Sequence, residues 1–159
     1  MQNKTKTYTL SIVVALAVGG LSALLTAGNM DLYSQIVQPP LAPPSVLFPI
    51  VWTVLYTLMG ISAAMVFLKK DAMPKEVSSA LTVYAISLFL NFFWSIIFFN
   101  MRAFLFSFIW LVALWITVII MIIKFYRIKS ASGLLQIPYL LWLTFAGYLN
   151  FGVFLLNKG

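Results

Sequence analysis

The chain has 159 residues, of which 63% are hydrophobic and 8% are charged, and its formal net charge is +7. A soluble domain carries roughly a quarter charged residues, so this composition excludes a water-soluble globule and predicts an integral membrane protein. Cysteine and histidine are both absent, which excludes disulfides, thiol catalysis and the commonest general base, metal ligand and haem ligand.

The first apolar segment, residues 8–27, is long enough to span a membrane. Because Lys4 and Lys6 precede it, a signal peptide cleaved near Ala27 is one interpretation. Small residues recur at every fourth position, however, and at that period they let another helix approach closely in lipid. The pattern favours a retained helix that packs against a neighbour, within the bundle or across a dimer. This small-residue stripe consists of Ser11, Ala15, Gly19, Ala23 and Ala27.

A proline-rich connection, residues 28–45, follows the first segment and contains the pairs Pro39-Pro40 and Pro43-Pro44. Each proline fixes its own φ and keeps the preceding residue out of the α region. The part from Gln38 that carries these pairs is therefore predicted to be an ordered, extended loop.

The second apolar segment, residues 46–68, starts with Pro49 in its first turn, where the missing N–H costs little. One helical face carries aromatic rings, a hydroxyl and a glycine, which a lipid-facing surface does not need. We therefore predict that this face is the wall of a pocket and that the proline-rich loop is its lid. The face consists of Trp52, Thr53, Tyr56 and Gly60.

Three further apolar segments, residues 77–99, 104–123 and 134–156, complete the predicted architecture. No segment so bounded contains a charged residue, which argues against proton relays and ion-coupled transport. The chain is predicted to be an all-α integral membrane protein, a five-transmembrane-helix bundle with a single domain over residues 1–159.

Polar residues inside the third segment point to the bundle interior. Ser87, Asn91 and Ser95 recur every four residues, and Trp94 is adjacent. Because an amide in hydrocarbon is costly unless it is paired, Asn91 is predicted to face inward. There it either bonds a neighbouring helix or meets a ligand in an apolar pocket.

Aromatic residues distinguish the last two segments. In the fourth segment, Trp110 and Trp115 lack polar neighbours and are predicted to face lipid or to lie in the interfacial belt. In the fifth segment, a small alanine lies among aromatic rings and leaves the room that a pocket requires. The residues of that face are Tyr139, Trp142, Ala146 and Asn150.

The basic residues are distributed unevenly between the two sides of the predicted bundle. Arg102 and Lys158 lie on one side, and all the others lie in the N-terminus and in the loops after the second and fourth segments. The positive-inside bias predicts a cytoplasmic N-terminus, with the proline-rich loop and the C-terminus outside. Because the charge serves topology, no nucleic-acid partner is expected. The three acids form no pair on a helix face, so neither a hydrolase nor a metal site is expected.

Three groups of residues together resemble the signature of the TspO/MBR family, the tryptophan-rich sensory proteins related to the translocator protein. The resemblance covers nearly the whole chain. Its residues are Pro43-Pro44, Phe48, Val51 to Tyr56 and Met59-Gly60, then Leu90-Asn91, Trp94-Ser95 and Phe98-Phe99, then Pro138 to Trp142, Phe145-Ala146 and Tyr148 to Asn150.

This resemblance implies a bacterial inner-membrane bundle, commonly dimeric, with a cavity under the first loop that binds porphyrins and synthetic isoquinoline or benzodiazepine ligands. Light-dependent porphyrin breakdown has been linked in the family to the tryptophans that match Trp52 and Trp142. Tyr56 joins the candidate site through its place on the second-segment face. Carried over residue by residue, the cavity involves Tyr33, Pro44, Phe48, Trp52, Asn91, Trp94, Ser95, Trp142 and Ala146.

The chain departs from the family pattern in its loop and at its end. Leu32 and Val46 stand where the family often has tryptophan, which implies a loop that grips a ligand less tightly. Mammalian members carry a cholesterol-recognition pattern late in the fifth helix. Here Phe151, Gly152 and Leu155 replace its tyrosines and arginine, so a sterol is not the expected ligand.

The expected function is therefore that of a receptor-like membrane protein that binds porphyrins and other flat apolar molecules. A transporter of such ligands and a light-dependent porphyrin-degrading enzyme are the alternatives. No cofactor is required in any of these, because a bound pigment would itself supply the reactivity. The expected partners are the porphyrin or another apolar small molecule, the lipid bilayer and a second copy of the chain.

Overall fold

The computed structural model describes residues 3–158, and five of its helices are long and apolar enough to cross a membrane. This confirms the predicted all-α membrane fold with five transmembrane helices. The long helices are α1 (Lys4–Thr26), α3 (Leu47–Phe67), α4 (Pro74–Ser95), α5 (Phe104–Ile128) and α7 (Ile137–Leu156), and the short ones are α2 (Leu32–Gln35) and α6 (Ser130–Leu134).

Helices α1, α4 and α5 extend beyond the predicted apolar segments, whereas α3 and α7 begin inside theirs. Helix α1 begins at Lys4, because the Asn3 side-chain oxygen accepts a hydrogen bond of 3.2 Å from the Lys6 N–H. Helix α5 runs on to Ile128, and Arg127 lies in its last turn, where a cation complements the helix dipole. The apolar pattern therefore locates the membrane core but not the helix ends.

The third and fifth spans contain breaks that the apolar pattern does not show. Helix α4 continues into a π-helical turn, Ile96–Asn100, which is followed by Arg102 with a left-handed φ of 51°. The fifth span, Ser130–Leu156, is divided into α6 and α7, and of the predicted segment 134–156 only Leu134 belongs to α6. Pro138 lies in the first turn of α7, where it cannot break an internal hydrogen bond.

Helices α1 and α3 lie in close contact through part of the small-residue stripe. Ser11 donates a hydrogen bond of 2.7 Å to the Gly60 carbonyl, and Ala15 is fully buried. A Cβ at Gly60 would lie 2.5 Å from the Ile12 Cα, so only glycine permits this approach. Ser11 and Ala15 of the stripe therefore pack within the bundle, whereas Ala23 and Ala27 at its C-terminal end are exposed.

The core lies mainly towards the end of the bundle that carries the basic loops, hereafter the basic end. Its fully buried side chains pack between α3, α4 and α5. The Ser62 hydroxyl donates a hydrogen bond of 2.6 Å to the Ser132 carbonyl, which attaches α6 to α3. The opposite end, closed by the proline-rich loop, is called the loop end. The most deeply buried core side chains near the basic end are Val66, Ala80, Val118, Met121 and Phe125.

Candidate functional site

A cavity of about 670 Å³ lies at the loop end of the bundle, which is within the range of small-molecule sites. Helices α1, α3, α4 and α7 form its walls, and the proline-rich loop forms its roof. The predicted site residues in its lining are Tyr33, Phe48, Trp52, Tyr56, Asn91, Trp94, Ser95 and Ala146.

Two predicted site residues, Trp142 and Pro44, lie outside the lining. Trp142 stands behind the wall, with its ring centroid 6.5 Å from that of Trp52 and 5.9 Å from that of Phe48. Both contacts are edge-on, so Trp142 supports the orientation of the two lining rings. The Pro44 carbonyl accepts 3.0 Å from the Leu47 N–H and turns the chain into α3.

The predicted second-segment face divides into residues with different roles. Trp52 and Tyr56 line the cavity, with ring centroids 5.7 Å apart. Thr53 instead is exposed and donates 2.7 Å to the Pro49 carbonyl, within its own helix. Gly60 contacts α1 and does not reach the cavity. The spacing of three and four residues placed the aromatic pair correctly but could not separate a pocket wall from a helix contact.

Asn91 lies at the floor of the cavity and also joins two helices. Its side chain is 2% exposed, and its Nδ2 donates 2.9 Å to the Tyr139 hydroxyl on α7. Trp52 contacts the same tyrosine ring edge-on, with centroids 6.2 Å apart. The inward orientation predicted for Asn91 is therefore observed, and its interhelical bond fixes the aromatic floor.

A second buried amide, Asn150, connects three helices at the side of the cavity. Its Oδ1 accepts 3.1 Å from the Trp94 indole N–H and 3.0 Å from the Ser107 hydroxyl. Its Nδ2 donates 2.8 Å to the Phe104 carbonyl. Sequence reasoning placed Asn150 on the right face but did not include it in the site, although the cost of a buried amide was a signal for it.

The roof of the cavity is held together by its own hydrogen bonds. Tyr33, on the short helix α2, donates its hydroxyl to the Pro43 carbonyl, and its ring meets Phe48 edge-on at 5.2 Å. Burial raises the pKa of the Tyr33 hydroxyl above its ordinary value. Gln38 donates 2.7 Å to the Tyr33 carbonyl. The loop is ordered as predicted, but α2 was not anticipated.

The roof is also fixed to the last helix. Asn157 and Val37 exchange two hydrogen bonds, of 3.0 Å and 2.9 Å, between side chain and backbone. A Cβ at Gly152 would lie 2.6 Å from the Pro39 Cβ, so the glycine allows the loop to rest on α7. Sequence reasoning treated Gly152 only as a departure from the family pattern and did not identify this contact.

Most side-chain donors around the cavity are already used inside the protein. The Ser22 hydroxyl donates 3.1 Å to the Phe92 carbonyl, and the Thr26 hydroxyl donates 2.9 Å to the Ser22 carbonyl. Residues 3–158 contain no group of three or more acids that could hold a metal ion. The site therefore offers aromatic faces, and its unbonded side-chain donors among the described residues are the Trp52 indole N–H and the hydroxyls of Ser45, Tyr56 and Ser95, which suits a largely apolar ligand.

Sequence reasoning missed the contribution of α1 to the cavity wall. Gly19, Ser22, Ala23 and Thr26 all line it, but small residues on a membrane helix carry no signal that separates ligand contact from helix packing. The expectation that the two α5 tryptophans lack polar neighbours also needs correction, whereas the exposure expected for Trp115 is observed.

Both α5 tryptophans have polar partners. Trp110 is half-buried and donates 2.6 Å to the Leu90 carbonyl, whereas Trp115 is exposed and donates 2.9 Å to Thr144. An indole N–H usually finds a hydrogen-bond partner when it is removed from water. These bonds attach α5 to α4 and to α7 outside the cavity.

Comparison with known proteins places this architecture in a family. The model of the TspO/MBR family matches residues 11–156. The tryptophan-rich protein TspO of Chlorobaculum tepidum is 37% identical, over 99% of each chain. Protein CrtK of Rhodobacter capsulatus is 35% identical, over 96% of this chain and 93% of its own. The translocator protein of Bos taurus is 30% identical, over 84% of this chain and 79% of its own. This chain belongs to the TspO/MBR family, whose members are multi-pass membrane proteins.

Proposed function

We propose that this membrane protein is a receptor-like protein that binds porphyrins and similar flat apolar tetrapyrroles in the cavity at its loop end. Family membership supports a receptor- or translocator-type role in the membrane. The observation that supports the ligand class is a cavity of about 670 Å³ whose wall carries Phe48, Trp52 and Trp94.

The orientation of these rings favours a planar aromatic ligand. Trp52 is held edge-on by Trp142, at an interplanar angle of 89°, and by Tyr139, at 73°. Edge-on neighbours fix an aromatic side chain without covering both of its faces. A fixed indole bordering the cavity is a suitable surface against which a macrocycle can stack.

The polar groups of the cavity support the apolar character of the ligand. The amides of Asn91 and Asn150 are engaged in bonds between helices, at 2.9 Å and 2.8 Å from their acceptors. Beyond the Trp52 indole and the hydroxyls of Ser45, Tyr56 and Ser95, a strongly polar ligand would find no unpaired side-chain donor among the described lining residues, which makes its transfer into the cavity costly.

The proposed orientation follows from the distribution of charge. We place the protein in a bacterial inner membrane, with the basic end in the cytoplasm and the cavity near the outer face. The bilayer then surrounds the exposed apolar side chains of the five helices. A homodimer, the association expected from the family resemblance, is part of the same proposal.

The experiment is a titration of the purified protein in neutral detergent with protoporphyrin IX, followed by tryptophan quenching and the Soret band, with empty micelles as reference. Wild type is expected to bind saturably. Ala146→Phe, which places a ring in the cavity, is expected to weaken binding about tenfold or more, equivalent to about 1.4 kcal/mol. Leu141→Phe on the exposed face of the same helix is the control. Equal porphyrin uptake by wild type and empty micelles would show that the ligand class is wrong.

Light-dependent porphyrin breakdown is a second candidate function, and the contact between Trp52 and Trp142 favours it. Trp52 borders the cavity, and the Trp142 ring lies behind Trp52 with its centroid 6.5 Å away. The two indoles would therefore be a contacting pair beside a bound pigment. If they take part in the reaction, Trp52→Phe and Trp142→Phe will retain much of the binding and lose light-driven bleaching of the Soret band. Bleaching at the wild-type rate in both variants would leave binding as the only function.

A further inference from the structure

The exposed lining residues Met30, Asp31, Ser34, Ser45 and Val46 are called the mouth of the cavity, and Asp31 is the charged one among them. Among the described residues that line the cavity, Asp31 is the only ionisable acid or base apart from the tyrosines. It precedes α2, is exposed, and its side chain makes no capping hydrogen bond there. No hydrogen bond of the described residues engages its carboxylate, so the side chain borders the cavity without a structural task that the loop depends on.

The hydroxyl and amide donors around Asp31 are directed at backbone carbonyls and away from the ligand space. Ser34 donates 2.8 Å to the Asp31 carbonyl, and Gln38 donates 2.7 Å to the Tyr33 carbonyl. Tyr33 donates to the Pro43 carbonyl. Ser45 adds a hydroxyl, which accepts as readily as it donates. Apart from Ser45, the side-chain donors of the described residues at the mouth are therefore already engaged within the loop.

The basic side chains at the loop end do not compensate for this charge. Lys158 lies over the Phe154 ring, with its Nζ 4.5 Å from the centroid, and Arg102 belongs to the turn between the third and fourth spans. Neither lines the cavity. Asp31 is thus the charged side chain among the described residues that a ligand in the cavity would contact directly.

We propose that Asp31 determines the charge preference of the cavity, so that it selects flat ligands whose mouth-facing edge is neutral or cationic over those that carry carboxylates there. This inference rests on the proposed tetrapyrrole-binding function and specifies the class of ligand within it. A ligand carboxylate about 6 Å from Asp31 in a water-filled mouth loses roughly threefold in affinity. An ammonium group at the same place gains a similar factor.

The test compares three derivatives of one porphyrin ring that differ in the charge at its edge. They are protoporphyrin IX as the free diacid, its neutral dimethyl ester, and its bis-amide with two tertiary ammonium groups. Their affinities are measured in neutral detergent at about 20 mM and about 1 M salt, since at about 1 M the Debye length falls to about 3 Å. The variants are Asp31→Asn and Asp31→Lys. Glu76→Gln is the control, because it removes the same charge at the basic end.

In wild type the ammonium derivative is expected to bind more tightly than the diacid at low salt, after correction for empty micelles. Asp31→Asn is expected to reduce that ratio threefold to tenfold, and Asp31→Lys to reduce it further; about 1 M salt is expected to remove the difference. Glu76→Gln is expected to leave the ratio unchanged.

The outcomes separate the inference from the function on which it rests. If the derivatives bind saturably but Asp31→Asn leaves the ratio unchanged, or Glu76→Gln changes it equally, the inference is wrong and tetrapyrrole binding stands. If no derivative binds wild type better than empty micelles, tetrapyrrole binding is wrong and the inference is overturned with it.

Discussion

The two ends of the bundle use their side chains in opposite ways. At the basic end, Val118, Met121 and Phe125 are fully buried and fill the space between helices. At the loop end, the Trp52 and Trp142 rings meet edge to face and leave a cavity of about 670 Å³ beside them. In lipid, helices associate mainly through close packing, so we infer that the basic end supplies most of the stability. The loop end can then remain hollow.

Truncating one phenylalanine at each end tests this comparison with the largest expected effect. Phe125→Ala leaves a void in a close-packed core and is expected to lower the free energy of unfolding by about 3–5 kcal/mol. Phe48 borders the existing cavity, so Phe48→Ala is expected to lower the free energy of unfolding by clearly less. The measurement is reversible unfolding in mixed micelles. Equal losses in the two variants would contradict the division between a solid and a hollow end.

Sequence reasoning predicted this architecture where the signal is local or repeats with the helix. Apolar length identified the five spans, and helical spacing placed Trp52 and Tyr56 on one wall. The cost of a buried amide correctly oriented Asn91. These signals depend on one residue and its neighbours in the same helix.

Contacts between distant residues could not be predicted in the same way. Asn157 pairs with Val37, 120 positions away, and nothing near either residue identifies the partner. Gly152 could equally have been a lipid-facing glycine, but the structure places Pro39 against it. The position of Trp142 behind the wall depends on how α3 and α7 are rotated against each other, which periodicity alone does not determine.

Replacing a glycine of α3 by alanine, with a glycine of α1 as control, tests how closely these two helices pack below the cavity. Gly60→Ala places a Cβ 2.5 Å from the Ile12 backbone and is expected to cost about 1–3 kcal/mol through overpacking. Gly20→Ala on α1 is the control, because a Cβ there meets nothing within 4 Å. It is expected to be neutral or to stabilise by up to about 1 kcal/mol through helix propensity. The same unfolding measurement is used.

The opposite result would change the comparison. If Gly60→Ala were neutral, α1 could shift away from α3 without loss, and the solid end would not include this helix pair. The cavity wall formed by Gly19 and Ala23 on α1 would then be adjustable.

The smallest expected effect concerns the attachment of the roof to α7. Asn157→Ala removes both hydrogen bonds to Val37 and one of 2.8 Å to the Val153 carbonyl. These groups lie near water, so each bond contributes at the lower end of about 0.5–1.5 kcal/mol, and global stability is expected to change little. The local opening of the loop is expected to increase, because two contacts then hold this part of the loop against α7. These are the packing of Pro39 against Gly152 and the hydrogen bond from the Tyr148 hydroxyl to the Pro40 carbonyl.

Hydrogen exchange at the Val37 amide measures that opening directly, since this N–H donates 3.0 Å to Asn157. Its exchange is expected to accelerate in Asn157→Ala and to remain slow in Asn29→Ala, which removes a 2.8 Å bond from the start of the same loop to Asn100 but leaves both bonds to Val37 in place. If the roof is a lid, porphyrin dissociation accelerates severalfold in the first variant only. Faster exchange with unchanged dissociation would mean that the ligand leaves between the helices, because an opened roof would then not limit its escape.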